Sequence, residues 1–136
     1  MQTLLFTSGL VLFLLGLFTG FAVPGMKNPR MGLASHVEAH LNGMFLVLLG
    51  LLWPFVELSA TWETATVAAL VYGAYANWVA TLIAALWGAG GRMMRIAAPD
   101  HEGSPAKEGI IKFLLISLSI ADVLGVAAVL FGIVRP

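Results

Sequence analysis

Four long apolar stretches separated by short polar breaks dominate the chain. Thr3 to Val23 runs for about 21 residues without a charge, enough for a helix to cross a hydrocarbon layer of roughly 30 Å. Pro24, Gly25, Asn28 and Pro29 break it, with Lys27 and Arg30 among them. A second apolar run extends from about Ala39 to Val56, a third from about Thr64 to Gly88 and a fourth from about Gly109 to Val134. With their polar ends, the predicted helices are 3–23, 36–56, 64–88 and 105–134. Ser104 and Pro105 suit the N-cap and first position of the last of these. The loops are short, so neighbouring helices should run antiparallel. The expectation is an all-α membrane protein, an up-down bundle of four transmembrane helices forming a single integral membrane domain over residues 1–136. The first segment lacks a basic leader and is longer than a signal-peptide core of about 7–15 residues, so it is expected to be retained.

Composition agrees. Of 136 residues, 60% are hydrophobic and 10% charged, against roughly 25% charged in soluble domains. Seven basic and seven acidic residues cancel, which leaves no electrostatic footprint for nucleic acid. The absence of cysteine excludes disulfides, iron–sulfur clusters, thiolate zinc sites and cysteine nucleophiles. Lys27 and Arg30 lie in the first loop, Arg92, Arg95 and Lys107 in the third, and Lys112 opens the fourth helix, whereas the second loop carries only Glu57 and Glu63. Loops one and three are therefore expected in the cytoplasm and both termini outside, with Arg135 weakly opposed. Asp100, His101 and Glu102 resemble a ligand cluster but read as a solvated loop. Gly88, Gly90 and Gly91 end the third helix and follow no strand, so a nucleotide loop is ruled out. Gly16 and Gly20 form a small-xxx-small pair that suits close helix packing.

Polar side chains inside a membrane are costly and usually functional. The second helix opens with Ser35-His36-Val37-Glu38-Ala39-His40-Leu41-Asn42-Gly43. At about 100° per residue, His36, His40 and Gly43 share one face, and Glu38 and Asn42 share another. Two imidazoles on one face suit zinc, but the chain offers no convincing third ligand. They cannot take opposite sides of one haem, so a haem here would have one protein ligand per chain and an open iron site, and the spacing leaves His36 and His40 as alternatives. In the third helix Asn77 aligns with Gly73 and Thr81, and Gly73 would leave room for a flat group. Asp122 lies near the centre of the fourth helix, where an unpaired charge costs about 2.5–3.5 kcal/mol.

His36 followed after five residues by Asn42-Gly43-Met44 resembles the second helix of styrene oxide isomerases, small four-helix membrane enzymes. The resemblance implies haem b with His36 as axial ligand, held at the subunit interfaces of a homotrimer, and substrate contact from Asn42 and Asn77. This chain has Gly73 where those enzymes carry an aspartate and Thr81 where they carry a catalytic tyrosine. The Asn42-Gly43 helix, Tyr72-Gly73-Ala74-Tyr75-Ala76-Asn77-Trp78, Gly88-Ala89-Gly90 and His101-Glu102-Gly103-Ser104-Pro105 are more closely similar to the hydroxylaminobenzene mutase family, short bacterial membrane enzymes of nitroarene breakdown. That resemblance covers most of the chain.

It implies a multi-pass protein of the bacterial inner membrane, in contact with the lipid bilayer, that takes a small aromatic hydroxylamine. The implied reaction converts hydroxylaminobenzene to 2-aminophenol by an intramolecular hydroxyl shift, with haem iron as Lewis acid. Asn42 and Asn77 would orient the substrate, and Glu38 or Tyr72 would move the proton. The alternatives are an epoxide isomerase of the styrene oxide type, a small haem-binding electron-transfer subunit, and a four-helix transporter that uses Asp122 for proton coupling.

Overall fold

The computed structural model describes residues 1–134; Arg135, counted in the charge balance above, lies outside them. Four helices make up the fold: α1, Gln2–Ala22; α2, Pro29–Leu52; α3, Ala60–Trp87; and α4, Pro105–Val134. All four are long and apolar enough to cross a membrane, and no strand occurs among the described residues. The protein is an all-helical membrane protein.

The ends of the helices follow local chemistry that an apolar run does not reveal. Helix α2 starts at Pro29 rather than 36, because the Asn28 side chain accepts a hydrogen bond from the Met31 amide at 3.1 Å and Pro29 takes the first helical position. It stops at Leu52, where Trp53–Phe55 tightens into a 3-10 turn around Pro54. Helix α3 begins at Ala60, before its apolar run, and ends where Gly88 adopts φ 62°, a left-handed cap.

Helices α1 and α2 pack antiparallel along a glycine seam. A Cβ on Gly9 would meet the Gly43 carbonyl at 2.6 Å, and a Cβ on Gly43 would meet the Gly9 carbonyl at 2.7 Å, so the two backbones approach closely. Leu5, Leu12, Leu46 and Leu49 from this pair meet Val67, Leu70 and Ala74 of α3 in the main core. Helix α4 leans on α3, with Leu70 lodged against Gly125, and makes no extensive contact with α1 or α2. Its outer side chains, including Phe113, Ile120, Val123, Leu124 and Leu130, stay exposed, as hydrocarbon allows.

Hydrogen bonds set the ends of the molecule. The Asn28 amide donates to the Ala85 carbonyl at the end of α3 at 3.1 Å and its side-chain Nδ2 to the Ala97 carbonyl at 3.5 Å, which brings loop one beside loop three. At the opposite end, the Glu57 amide donates to the Gly132 carbonyl at 2.9 Å and the Trp53 indole to Glu63 at 2.8 Å. The basic loops thus share one end and the acidic loop occupies the other. Loop three is held by Glu108, 4% exposed, whose Oε1 accepts the amides of Gly90 at 2.7 Å and Gly103 at 2.8 Å.

Candidate functional site

Helix α2 carries two chemically different faces, and the structure directs them at different neighbours. Toward α1, His36 Nδ1 lies 2.8 Å from the Gly16 carbonyl, and His40 Nδ1 lies 2.6 Å from the His36 carbonyl. A carbonyl only accepts, so both Nδ1 atoms donate, and Nε2 is the nitrogen left for any other partner. A carbonyl partner on the far ring nitrogen is the usual arrangement behind a metal-binding imidazole. The rings stack edge to face at 4.4 Å, and Phe13 meets His40 the same way at 4.4 Å. The Gly16 and Gly20 pair, expected to serve helix packing, receives these rings: a Cβ on Gly20 would stand 2.7 Å from His36 Nδ1, and one on Gly16 would stand 3.0 Å from His40 Nδ1. Further along the α1–α2 seam, past the Phe13 that meets His40, an open groove of about 390 Å³ is lined by Leu10, Phe13, Gly43, Met44, Val47 and Leu48, with no polar side chain and neither histidine.

Toward α3, the Asn77 amide donates to Glu38 Oε2 at 2.9 Å, and the Ser35 hydroxyl donates to the Trp78 carbonyl at 3.3 Å. Thr81 turns its hydroxyl back onto the Asn77 carbonyl at 2.9 Å and so braces the turn that carries Asn77. Asn42, one turn beyond Glu38 on the same face, has a buried Nδ2 with no partner among the described residues. An orphaned donor of this kind costs about 1–3 kcal/mol unless something meets it.

Helical spacing predicts space beside Gly73 for a flat group. That space is taken: a Cβ at Gly73 would collide with the Asp122 carboxylate, which reaches across from α4. The filler comes from a helix remote in sequence, so helical spacing within α3 could not reveal it. Asp122 makes no hydrogen bond or ion pair among the described residues. The Glu38–Asn77 contact sets the register of antiparallel α2 and α3, and four residues along each helix brings Asn42 level with Gly73 and hence with Asp122. Glu38, Asn42, Asn77 and Asp122 therefore form a polar band where α2 and α4 flank α3.

Tyr72 lies elsewhere. Its hydroxyl pairs with the Ser117 hydroxyl at 2.6 Å on the other flank of the α3–α4 contact, about 140° around α3 from Asn77. Two further aromatics, whose roles the sequence did not disclose, tie α3 to α1: the Tyr75 hydroxyl donates to the Ser8 carbonyl at 2.9 Å and the Trp78 indole to the Thr19 hydroxyl at 3.1 Å. In loop three, Asp100 and Glu102 are exposed and His101 is half-buried. No group of three His, Cys, Asp or Glu side chains is arranged for a metal ion among the described residues.

The two faces of α2 are thus two candidate half-sites. An imidazole whose Nδ1 is tied to a carbonyl and whose Nε2 has no partner among the described residues is the kind of donor a haem takes, and His36 fits that group on its donor chemistry. The amide–carboxylate band is suited to a small ligand with both donors and acceptors. His36 and Asn42 are six residues apart, about 120° around α2, so one chain does not bring the two half-sites together.

Comparison with known proteins adds three matches. A family model described as styrene oxide isomerase matches residues 1–134. Hydroxylaminobenzene mutase HabA of Ectopseudomonas oleovorans is 53% identical over 135 residues, 99% of this chain and 100% of that protein. Hydroxylaminobenzene mutase HabB of the same organism is 56% identical over 125 residues, 92% of this chain and 76% of that protein. No solved structure matches the chain.

Proposed function

The chain belongs to the styrene oxide isomerase family, and from that premise we propose that it is an intramolecular mutase converting hydroxylaminobenzene to 2-aminophenol. The observation that carries this reading is the likeness to hydroxylaminobenzene mutase HabA along the whole chain. Isomerase chemistry agrees with a polar band sunk in a membrane fold, because the oxygen moves from nitrogen to the ortho carbon of the same molecule. Water is not a reactant, and an apolar surround keeps it from competing.

His36 is the proposed holder of haem b through Nε2, with Gly16 and Gly20 making room for the imidazoles. When bound, the haem would supply a Lewis acid for the N–OH oxygen. The chain's own groups do the rest. The free Asn42 Nδ2 donates to the hydroxylamino oxygen, and the Asn77–Glu38 pair offers a donor and an acceptor that fix the nitrogen. Because the half-sites lie on different sides of α2, the active unit is proposed to be a homotrimer in which one chain's imidazole face meets the next chain's polar band. The basic loops at one end favour a cytoplasmic position for loops one and three in a bacterial inner membrane.

The test is direct. Membranes containing the protein should form 2-aminophenol from hydroxylaminobenzene without added reductant, oxidant or nucleotide. In oxygen-18 water the new hydroxyl should stay unlabelled, and full solvent labelling would replace the internal shift with attack by water. Purified protein should show a Soret band that His36→Ala removes; a wild type without any haem would end the cofactor reading. Styrene oxide should react poorly, and brisk formation of phenylacetaldehyde would return the chain to epoxide chemistry.

A further inference from the structure

The reaction proposed above needs a proton moved, a task the family resemblance gives to Glu38 or Tyr72, whose carboxylate and hydroxyl are engaged by Asn77 and Ser117. Once the N–O bond has broken and the C–O bond has formed, the ring is a hydroxycyclohexadienimine. The ortho C–H bond must then break, its electron pair returning to the ring, while the imine nitrogen gains a proton. No electrons are gained or lost overall, so a single carboxyl group that accepts at carbon and donates at nitrogen completes the product.

We propose, resting on that reaction, that Asp122 is this carboxyl group and is a catalytic residue. Three observations carry the assignment. First, Asp122 sits near the middle of a spanning helix with no partner among the described residues, a costly state that membrane proteins keep where the group is used. Second, its carboxylate is held over the bare backbone of Gly73, where any side chain on α3 would displace it. Third, it lies level with the orphaned Nδ2 of Asn42 across α3. A free donor and a free acceptor at one depth, separated by a glycine, match a ligand that offers an oxygen on one side and a proton on the other. Glu38 suits the task less, because Asn77 already occupies its Oε2.

The experiment uses the full-length protein in its haem-loaded form. Asp122→Asn should lower kcat at least ~100-fold, the scale of a missing acid–base group, with Soret absorbance and Tm in detergent unchanged. With 2,6-dideuterated hydroxylaminobenzene, the residual rate should show a larger isotope effect than wild type, since C–H cleavage becomes limiting; loss of packing alone would not produce that. Moving the acid across the seam, as Gly73→Asp with Asp122→Gly, should restore at least ~10-fold over Asp122→Asn. On the wild type, a lipophilic carbodiimide should label Asp122, and 2-aminophenol should protect it; this arm stands even if neither variant folds. A folded Asp122→Asn protein within a few-fold of wild type, or labelling indifferent to 2-aminophenol, overturns the assignment while leaving the mutase reading intact. A wild type unable to make 2-aminophenol overturns the reaction itself.

Discussion

Helix α4 carries two carboxylates that never face bulk water fully, and they are treated in opposite ways. Glu108, in its first turn, is 4% exposed and accepts two backbone amides at 2.7 and 2.8 Å. Asp122, further along the same helix, has no hydrogen-bond partner among the described residues and is propped over a glycine. The first closes a loop; the second is held out with its bonding capacity unused. Burial alone therefore does not sort structural from chemical acids in this fold. What separates them is that Glu108 Oε1 already accepts two amides, although its Oε2 is buried without a partner, whereas neither oxygen of Asp122 accepts anything among the described residues.

Removing each group should break the comparison at different points. Glu108→Ala leaves the Gly90 and Gly103 amides without their acceptor in the loop that caps α3 and α4. Hydrogen bonds to a charged acceptor are worth about 1.5–3 kcal/mol each, so the loss should be on the order of 3 kcal/mol, read as a lower Tm in detergent. Specific activity per folded molecule should hardly move. The reverse pattern, a stable protein without activity, would place Glu108 in the chemistry and erase the contrast with Asp122.

Two glycine substitutions sharpen the contrast with smaller effects. Gly73→Ala puts a methyl group where the Asp122 carboxylate lies. The acid must swing aside, at about 1–3 kcal/mol for overpacking, and turnover should fall by about tenfold or more, since misplacing a reacting group by an ångström is itself expensive. Gly90→Ala is the matched control beside Glu108. Gly90 has φ 96°, a conformation that side chains avoid, so stability should fall by about 1–3 kcal/mol with turnover retained. Comparing kcat with Tm for the pair checks both. Equal losses of kcat would mean that the two carboxylates act through the same global packing.

How much of this was legible in the sequence depends on the range of the interaction. The four spans were readable because a 20-residue apolar run is a local property. The two faces of α2 were readable too, since a 100° step separates His36 and His40 from Glu38 and Asn42 whatever surrounds them. The start of α2 was misplaced because Asn28 caps it through one side-chain bond that hydropathy does not register. The space beside Gly73 was misread for a different reason. A glycine shows that something comes close, but only the packed fold shows that Asp122 fills the gap. Glu108 went unnoticed because its partners are backbone amides, which leave no mark on composition.

A third carboxylate supplies the smallest effect and the baseline for the other two. Glu102 stands in loop three, 3.6 Å from the Arg92 guanidinium, and both side chains are more than half exposed at 54% and 63%. Water and salt screen such a pair, and two flexible side chains must be ordered to hold it, so it is worth about 0–1 kcal/mol. Glu102→Gln should therefore leave Tm, haem content and turnover within error of wild type. Its neighbours Asp100 and His101 look like ligands in the sequence, so the variant also tests the solvated-loop reading. A loss of haem on Glu102→Gln would show that the loop reaches the cofactor and that this carboxylate is not merely solvated.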